Sequence, residues 1–141
     1  MKSMTALIIV AATLFPLGTL CTAGEQVPAT NLGNGAGFKG KKIQMKDKGE
    51  VAYLMFFKAG QDFEATTDGP KNTDVNLFVY DDAGKEVGKD VSPGPKCSVK
   101  VTPTKDGNYK FVITNAGGEN TVIFKVEFLA RSRESSLPRR L

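Results

Sequence analysis

The sequence contains no histidine and no tryptophan, and it has only two cysteines among its 141 residues. Histidine is the commonest general base and the usual partner that activates a serine or cysteine nucleophile, so the catalytic triads that depend on it are excluded. Two cysteines also cannot supply the four ligands of a structural zinc site on their own. These absences predict a protein that is not an enzyme.

One catalytic chemistry needs neither histidine nor cysteine, namely glycoside hydrolysis by a pair of carboxylates. The acidic residues that would serve it fall at predicted turns or at solvent-facing strand positions, where acids ordinarily lie. These residues are Asp62, Glu64, Asp81, Asp82 and Glu119. A phosphate-binding loop is also missing, because the stretch 33–42 lacks the P-loop spacing and a following helix. A carboxylate-only hydrolase is therefore a second alternative and not the main prediction.

The first residues have the pattern of an export signal. Lys2 gives the chain a positively charged start, residues 4–14 form an apolar stretch, and Pro16 is followed by small residues that end at Ala23. This order of features is typical of a secretory signal peptide. We therefore predict that residues 1–23 are a signal peptide and that cleavage follows Ala23.

Two other interpretations of this segment are a retained membrane anchor and a lipid anchor on Cys21. Pro16 and the small residues favour cleavage over a membrane anchor, and Leu20 stands where a lipid anchor prefers a small residue. After cleavage the chain keeps Cys97 alone, and a secreted domain without disulfides fits a bacterial setting best. We predict a bacterial protein that is secreted, periplasmic or in the cell envelope, with no membrane span after cleavage.

Positive and negative charges cancel in the body of the chain. Residues 24–128 contain 14 lysines, 14 acidic residues and no arginine, whereas all four arginines follow, at positions 131, 133, 139 and 140. A neutral body offers no basic patch, so nucleic-acid binding is not predicted. The basic segment 129–141 has the composition of a disordered tail, and docking on an anionic cell surface is its alternative use.

From residue 41 onward the apolar residues alternate with a period of two, which is typical of β-strands. Turn-forming sequences rich in Gly, Asp, Asn and Pro separate the alternating stretches. The predicted strands cover residues 41–46, 51–59, 61–68, 75–80, 86–91, 96–103, 109–114 and 121–128. Seven or eight short strands without an amphipathic helix predict an all-β fold, an antiparallel β-sandwich of jelly-roll or Greek-key type.

The domain organisation follows from these boundaries. Residues 41–128 are predicted to form one β-sandwich domain, which together with the flanking segments is long enough to bury a core. The preceding segment, 24–40, is rich in glycine and is predicted to be a flexible arm. Cys97 alternates with Val99 and Val101, so we predict that its thiol is buried in a strand.

The stretch 74–88, DVNLFVYDDAGKEVG, contains four candidate metal ligands. Asp74 and Asn76 fall on the same side of a predicted strand, and Asp81 and Asp82 lie at its far end. Calcium takes several oxygen ligands from carboxylates and amides, so the four residues are a candidate calcium site. A strand of six residues spans about 20 Å, however, so the two pairs cannot share one ion within this strand. The simpler interpretation is that the first pair starts the strand and the second pair forms the turn.

The same stretch offers a candidate binding surface. Phe78 and Tyr80 alternate with Leu77 and Val79, so the two rows face opposite sides of the strand. An aromatic row on the solvent side of a sheet is a common means of holding a glycan or a protein, whereas a row covered by loops belongs to the core. The sequence leaves both open. The lysine-rich stretch 39–42 is likewise either an anion-contacting edge or a charged edge strand that resists aggregation.

Three motifs, in this order, resemble the bacterial pre-peptidase C-terminal domain, a jelly-roll module of secreted proteases and other exported proteins. They are an apolar strand ending in Ala-Gly (YLMFFKAGQDFEATT, 53–67), an Asp-x-Asp-Leu-aromatic-x-Tyr-Asp strand with a glycine turn (DVNLFVYDDAGKEV, 74–87) and a Gly-x-Tyr strand (DGNYKFVITNAGG, 106–118). Asn76 stands where the family more often has a second aspartate. The resemblance covers residues 41–128 and implies a stand-alone copy of this jelly-roll module.

These observations together predict an exported, non-catalytic β-sandwich module. Its role would be binding or structural contact with an extracellular or cell-envelope partner, which is a glycan, a matrix component or a protein. The candidate ligand-binding residues are Phe78 and Tyr80. No cofactor is predicted, and the alternative is a calcium-binding or calcium-stabilised module with the ligands Asp74, Asn76, Asp81 and Asp82. The oligomeric state does not follow from the sequence.

Overall fold

The computed structural model describes residues 27–35 and 38–130. The predicted signal peptide and the segment 131–141 lie outside the described residues. Those that are described contain nine β-strands and no α-helix. The strands are β1 Ala29–Asn34, β2 Lys41–Met45, β3 Glu50–Phe57, β4 Phe63–Asp68, β5 Val75–Tyr80, β6 Glu86–Asp90, β7 Cys97–Val101, β8 Gly107–Asn115 and β9 Asn120–Phe128.

The strands form two sheets. The five-stranded sheet has the order β1-β3-β8-β5-β6, and the four-stranded sheet has the order β2-β9-β4-β7. Within the described strands β1 pairs with β3 in parallel, and the other six pairings are antiparallel. The predicted all-β sandwich is therefore confirmed, with nine strands where the sequence predicted seven or eight.

The additional strand is β1, and it lies in the glycine-rich segment that was predicted to be a flexible arm. That prediction is wrong for residues Ala29–Asn34, since Ala29 pairs with Ala52 and Thr30 with Tyr53 along the edge of β3. The following Gly35 is buried against Phe57, and a Cβ atom there would lie 2.5 Å from the Phe57 ring. The sequence hid this strand because ATNLGN has little apolar content and no period-two pattern.

The core lies between the two sheets and is built from the inward rows that the alternation predicted. On β5, Val75, Leu77 and Val79 have no exposed surface. Aromatic rings fill the centre, where Phe57 and Phe63 stack with centroids 4.1 Å apart. The buried cluster also contains Phe111, Phe124, Tyr53 and Tyr109. Each large side chain contributes about 1.5–3 kcal/mol when it is removed from water, so this buried cluster is the main source of stability.

Polar contacts close one end of the sandwich. Asn115, which is 2% exposed, donates its Nδ2 hydrogens to the backbone oxygens of Lys46 at 2.9 Å and Gly118 at 2.8 Å. Its own backbone N–H donates to the oxygen of Gly49 at 2.9 Å. The β2–β3 turn and the β8–β9 hairpin are thus held together through one buried amide, as buried polar groups require.

The other end of the sandwich contains the loops after β3, β5 and β7, and the residues that follow β9. Leu129 N–H donates to the oxygen of Asp62 at 2.8 Å, and Gly60 N–H donates to the oxygen of Pro103 at 2.8 Å. Ala59 N–H donates to Oδ1 of Asp106 at 2.7 Å. Among the described residues no helix has the length and apolar character needed to cross a lipid bilayer.

Candidate functional site

The outer face of the five-stranded sheet carries the aromatic row that the sequence left open. Phe78 and Tyr80 are half-buried, whereas Leu77 and Val79, which alternate with them, are completely buried on the inner side. The row is therefore on the side of the sheet that faces away from the core. Its position answers the question of orientation, while its role in binding stays a prediction.

The neighbouring strands extend this row into a surface. Tyr80 lies opposite Lys110 on β8, and Lys110 lies opposite Leu54 on β3, so the three side chains form a row across three strands. One step along the strands, Phe78 lies opposite Val112. Directly opposite residues in a sheet have Cβ atoms about 5 Å apart, so each row is in side-chain contact. The surface is thus continuous across β3, β8 and β5.

A third row is polar. Asn76 lies opposite Thr114, which lies opposite Glu50. The Asn76 Nδ2 atom donates to Thr114 Oγ1 at 3.4 Å. Asn76 therefore bonds to its cross-strand neighbour on the outer face, and it supplies the polar end of the aromatic surface.

Together these rows are the floor of an open groove of about 780 Å³. We call it the β5–β8 groove. Its lining combines flat apolar side chains with amide, hydroxyl and charged groups, in chain order Glu50, Leu54, Phe78, Tyr80, Asp81, Asp82, Gly84, Asn108, Lys110, Val112 and Thr114. Three carboxylates against one ammonium give the lining an excess of negative charge. Stacking on aromatic faces and hydrogen bonding are the interactions that such a lining offers a ligand.

Asp81 and Asp82 form the rim of the groove at the end of β5. Asp81 Oδ1 accepts hydrogen bonds from the N–H groups of Ala83 at 3.0 Å and Lys85 at 2.9 Å, which is an Asx-turn arrangement. Gly84 takes φ +79° in this turn, where a side chain would be strained. Asp82 is exposed and lies against Gly107 of β8. The turn that the sequence predicted at 81–84 is present.

Asp74 lies at the opposite end of β5. Its Oδ1 accepts from the N–H of Gly94 at 3.2 Å, and its backbone oxygen accepts from Ala116 at 2.8 Å. Asp74 and Asp81 are therefore separated by the whole of β5, or about 20 Å. Within residues 27–35 and 38–130, no group of three or more His, Cys, Asp or Glu side chains has a geometry that could hold a metal ion. The calcium hypothesis has thus no preformed cluster to rest on in this part of the chain and stays a prediction.

Two acids of the hydrolase alternative, Glu64 and Glu119, lie apart from Asp81 and Asp82 in the fold. Glu64 is on the outer face of the four-stranded sheet, where Ser98 Oγ donates to its Oε1. Glu119 lies just before β9, at the end of the sandwich opposite to Asp81. Paired carboxylates must lie on either side of one bond, within about 10 Å of each other. The strand topology therefore offers no pairing between Glu64, Glu119 and the acids of the β5–β6 turn.

Cys97 is buried, as the sequence predicted. It is 3% exposed, and its Sγ donates to the backbone oxygen of Val75 at 2.8 Å. Burial, chiefly, raises the pKa of the Cys97 thiol above its ordinary value. A neutral, enclosed thiol is a poor nucleophile, so Cys97 is a packing residue.

Sequence reasoning missed the part of the groove that β3 and β8 supply. Leu54 lies in an almost continuous apolar stretch, so the pattern did not show which of its residues face outward. Lys110 and Val112 alternate with an inward row on β8, but only the strand order places them beside Phe78 and Tyr80. One signal was available: β3 has apolar residues on both faces, so some of them must lie on the outer face of the sheet.

Comparisons by sequence find no counterpart: no protein-family model matches the chain, and no significant match is found among curated proteins. Comparisons by structure find the same fold in several solved proteins. The chain resembles the pre-peptidase C-terminal domain of a collagenase from Bacillus anthracis with a TM-score of 0.57 at 10% identity, over 72% of this chain and 96% of that one. The motif resemblance is thus matched at the level of the fold.

Two further structures share this fold. The Yersinia pseudotuberculosis-derived mitogen matches with a TM-score of 0.53 at 13% identity, over 74% of this chain and 96% of that one. CorA, a surface-associated copper-binding protein of Methylomicrobium album BG8, matches with a TM-score of 0.54 at 11% identity, over 73% of this chain and all of that one. At such identities the likeness shows a shared β-sandwich and nothing finer.

Proposed function

We propose that this protein is an exported, non-catalytic binding module that contacts a partner outside the cytoplasm through the β5–β8 groove. The observation that carries the proposal is the row of Phe78 and Tyr80 on an outward sheet face, extended by Leu54 and Val112. Sheet faces turned to water are ordinarily polar. An apolar row on such a face, rimmed by polar groups, is the mark of a binding site.

The proposed partner is a glycan, a matrix component or a protein of the cell surface or its surroundings. Each of these presents flat or apolar faces beside hydroxyl and amide groups, which match the composition of the groove. The pattern of an export signal at residues 1–23 supports the location outside the cytoplasm. The three structural neighbours share the same architecture, and two of them are described as a domain of a collagenase and as a surface-associated protein.

The experiment is a co-sedimentation assay of the exported chain with insoluble chitin, cellulose, peptidoglycan and fibrillar collagen. We expect saturable binding to one of these, reduced at least about tenfold by Tyr80→Ser, because a central aromatic anchor contributes about 2 kcal/mol or more to a typical interface and about 1.4 kcal/mol is tenfold in affinity. Ile123→Ser is the matched control, since Ile123 is an exposed apolar residue of β9 in the four-stranded sheet.

Binding that Tyr80→Ser and Ile123→Ser reduce equally would place the site elsewhere. The absence of saturable binding to all four materials would contradict the proposal for glycans and fibrous matrix. Proteins of the cell surface would then be the partners to test with the same pair of variants.

A further inference from the structure

The chemistry of the β5–β8 groove complements one segment of this chain. Among the groups that line the groove, Glu50, Asp81 and Asp82 are acidic and Lys110 is basic, which leaves a net negative charge. The segment 131–141 contains four arginines against a single glutamate, and residues 24–128 contain no arginine at all. Opposite charges therefore meet if this segment lies on the groove.

Arginine suits this groove better than lysine does. Its planar guanidinium stacks on aromatic faces and also pairs with carboxylates through two parallel hydrogen bonds. The groove presents both partners side by side, because Asp81 and Asp82 directly follow Tyr80 in the chain. Phe78 lies two residues before Tyr80 on the same face. An extended peptide with spaced arginines can therefore pair with the carboxylates of the rim and stack on the aromatic rings of the floor at the same time.

The segment also starts close to the groove. Leu129 is hydrogen-bonded to Asp62, which lies in the loop that follows β3. The same loop is hydrogen-bonded to Pro103 and to Asp106, just before β8. Gly107, the next residue, lies against Asp82 on the rim of the groove. Chain position 130 is thus at the same end of the sandwich as the acidic rim. Two packed sheets are about 10 Å apart, and eleven extended residues reach up to about 36 Å, so the segment can pass over this end and follow the groove.

We propose that the segment 131–141 binds in the β5–β8 groove of its own chain and covers Phe78 and Tyr80 until an external partner displaces it. This inference rests on the proposed function: if the groove binds an external partner, the bound segment controls the access of that partner to the groove. Attachment to the domain gives the segment an effective concentration of about 1 mM or more. Even a weak contact then covers the groove in most molecules, and it disfavours partners that bind less tightly than the segment.

The test measures the accessibility of Tyr80 by nitration with tetranitromethane, followed by peptide mass spectrometry. The chain has three tyrosines, and the other two, Tyr53 and Tyr109, are 5% and 4% exposed. Nitration of the folded, exported chain therefore reports on Tyr80. The reagent is uncharged, so a change in nearby charge does not alter its local concentration. No external partner is present, so failure of this test leaves the proposed function standing.

The decisive variant replaces all four arginines, Arg131, Arg133, Arg139 and Arg140, by serine. We expect its Tyr80 to be nitrated at least about threefold faster than in the unmodified chain, because the weakly held segment leaves the groove. In the unmodified chain, about 1 M NaCl should raise the rate to that of the variant, since it shortens the screening length to about 3 Å. The rate of the variant itself should not respond to salt.

Two controls separate binding in the groove from a general effect of charge. A variant with Lys42→Ser, Lys46→Ser, Lys100→Ser and Lys125→Ser removes the same charge from the edge and outer face of the four-stranded sheet and should leave the Tyr80 rate unchanged. The pair Asp81→Asn and Asp82→Asn should raise the rate as the arginine variant does, and the two sets combined should raise it no further. Asparagine keeps the Oδ1 acceptor on which the 81–84 turn depends.

Equal Tyr80 rates in the unmodified chain and the arginine variant would overturn the proposal. So would protection that appears only at high protein concentration, because the segment would then bind a second copy. Protection that is constant over a hundredfold range of concentration and is lost in both charge variants would support it.

Discussion

The two sheets of this molecule differ in the faces that they turn to water. On the four-stranded sheet the outward row Lys100, Glu64 and Glu127 is charged throughout, across β7, β4 and β9. The equivalent row on the five-stranded sheet is Leu54, Lys110 and Tyr80. Both faces obey the same period of two, so secondary structure does not cause the difference. A solvated face needs only polar side chains, and the apolar and aromatic side chains of Leu54 and Tyr80 on the other face therefore indicate a further use.

Replacement of an inward residue should lower the free energy of unfolding more than any other change considered. Phe111→Ala empties a site that is completely buried and in ring contact with Phe57, Phe63 and Phe124. We expect a loss of about 3–5 kcal/mol in the free energy of unfolding, measured by urea denaturation. The outward Phe78→Ala should cost clearly less, because part of the Phe78 side chain is already exposed to water. If the two losses were equal, the distinction between inner and outer rows would fail.

A smaller loss is expected at the side where the two sheets meet. Gly88 of β6 faces Val99 of β7, and a Cβ atom at position 88 would lie 2.5 Å from Val99 Cγ1. Gly88→Ala should therefore lower the free energy of unfolding by about 1–3 kcal/mol through overpacking. The double variant with Val99→Ala should recover part of this loss, since the clash is removed. A double variant whose losses simply add would show that the contact between the sheets is not the cause.

The third prediction concerns a polar link between the sheets. Asp90 at the end of β6 accepts from Ser98 N–H of β7 at 2.9 Å and from Ser92 N–H at 3.0 Å. Hydrogen bonds from the Ser92 side chain, from Ser98 N–H and from Ser92 N–H lower the pKa of Asp90. A lowered pKa in the folded state means that the bonds stabilise the fold above the ordinary aspartate pKa and lose this effect as the pH falls through the lowered value.

The measurement is the melting temperature of the unmodified chain and of Asp90→Asn at several pH values. We expect the unmodified chain to be the more stable at pH 7 by a small margin, because Asp90 is largely solvated. The margin should shrink as the solution is acidified below the ordinary aspartate pKa. A margin that stays constant down to acid pH would show that the carboxylate charge does not contribute.

The smallest effect is expected from calcium. In both Asp74 and Asp81 the Oδ1 atom already accepts a backbone hydrogen bond, and the two ends of β5 are far apart. We therefore expect millimolar calcium, followed by chelator, to leave the melting temperature unchanged. A ligand that binds only the folded state must raise it, so a clear and reversible rise would favour the calcium-stabilised alternative. Asp74→Asn and Asp81→Asn would then identify which end of the strand holds the ion.

Much of this fold could be predicted from the sequence, because alternation is a local property. The inward rows on β4, β5, β7 and β9 follow directly from period-two patterns, and so does the burial of Cys97. β1 could not be found in this way. Its sequence, ATNLGN, has little apolar content, and pairing with β3 rather than its own pattern makes it a strand.

The site was only half predictable for a related reason. Phe78 and Tyr80 come from one strand, and their common orientation follows from their spacing. Leu54, Lys110 and Val112 join them only because β8 lies between β3 and β5, which depends on the order of strands in the sheet. Strand order is set by packing over the whole molecule, and a local pattern does not contain it.

The pairing of β1 with β3 has one more consequence, which concerns self-association. All residues of β3 after Glu50 are apolar or aromatic, and β1 occupies the backbone donors and acceptors along one edge of that strand. Without β1 the molecule would present an eight-residue strand edge with seven apolar or aromatic residues, which is a template for pairing with other chains. The glycine-containing strand thus works as an edge cover. A proteolytic cut near Gly33 is therefore expected to increase the tendency of the protein to form fibrils or aggregates.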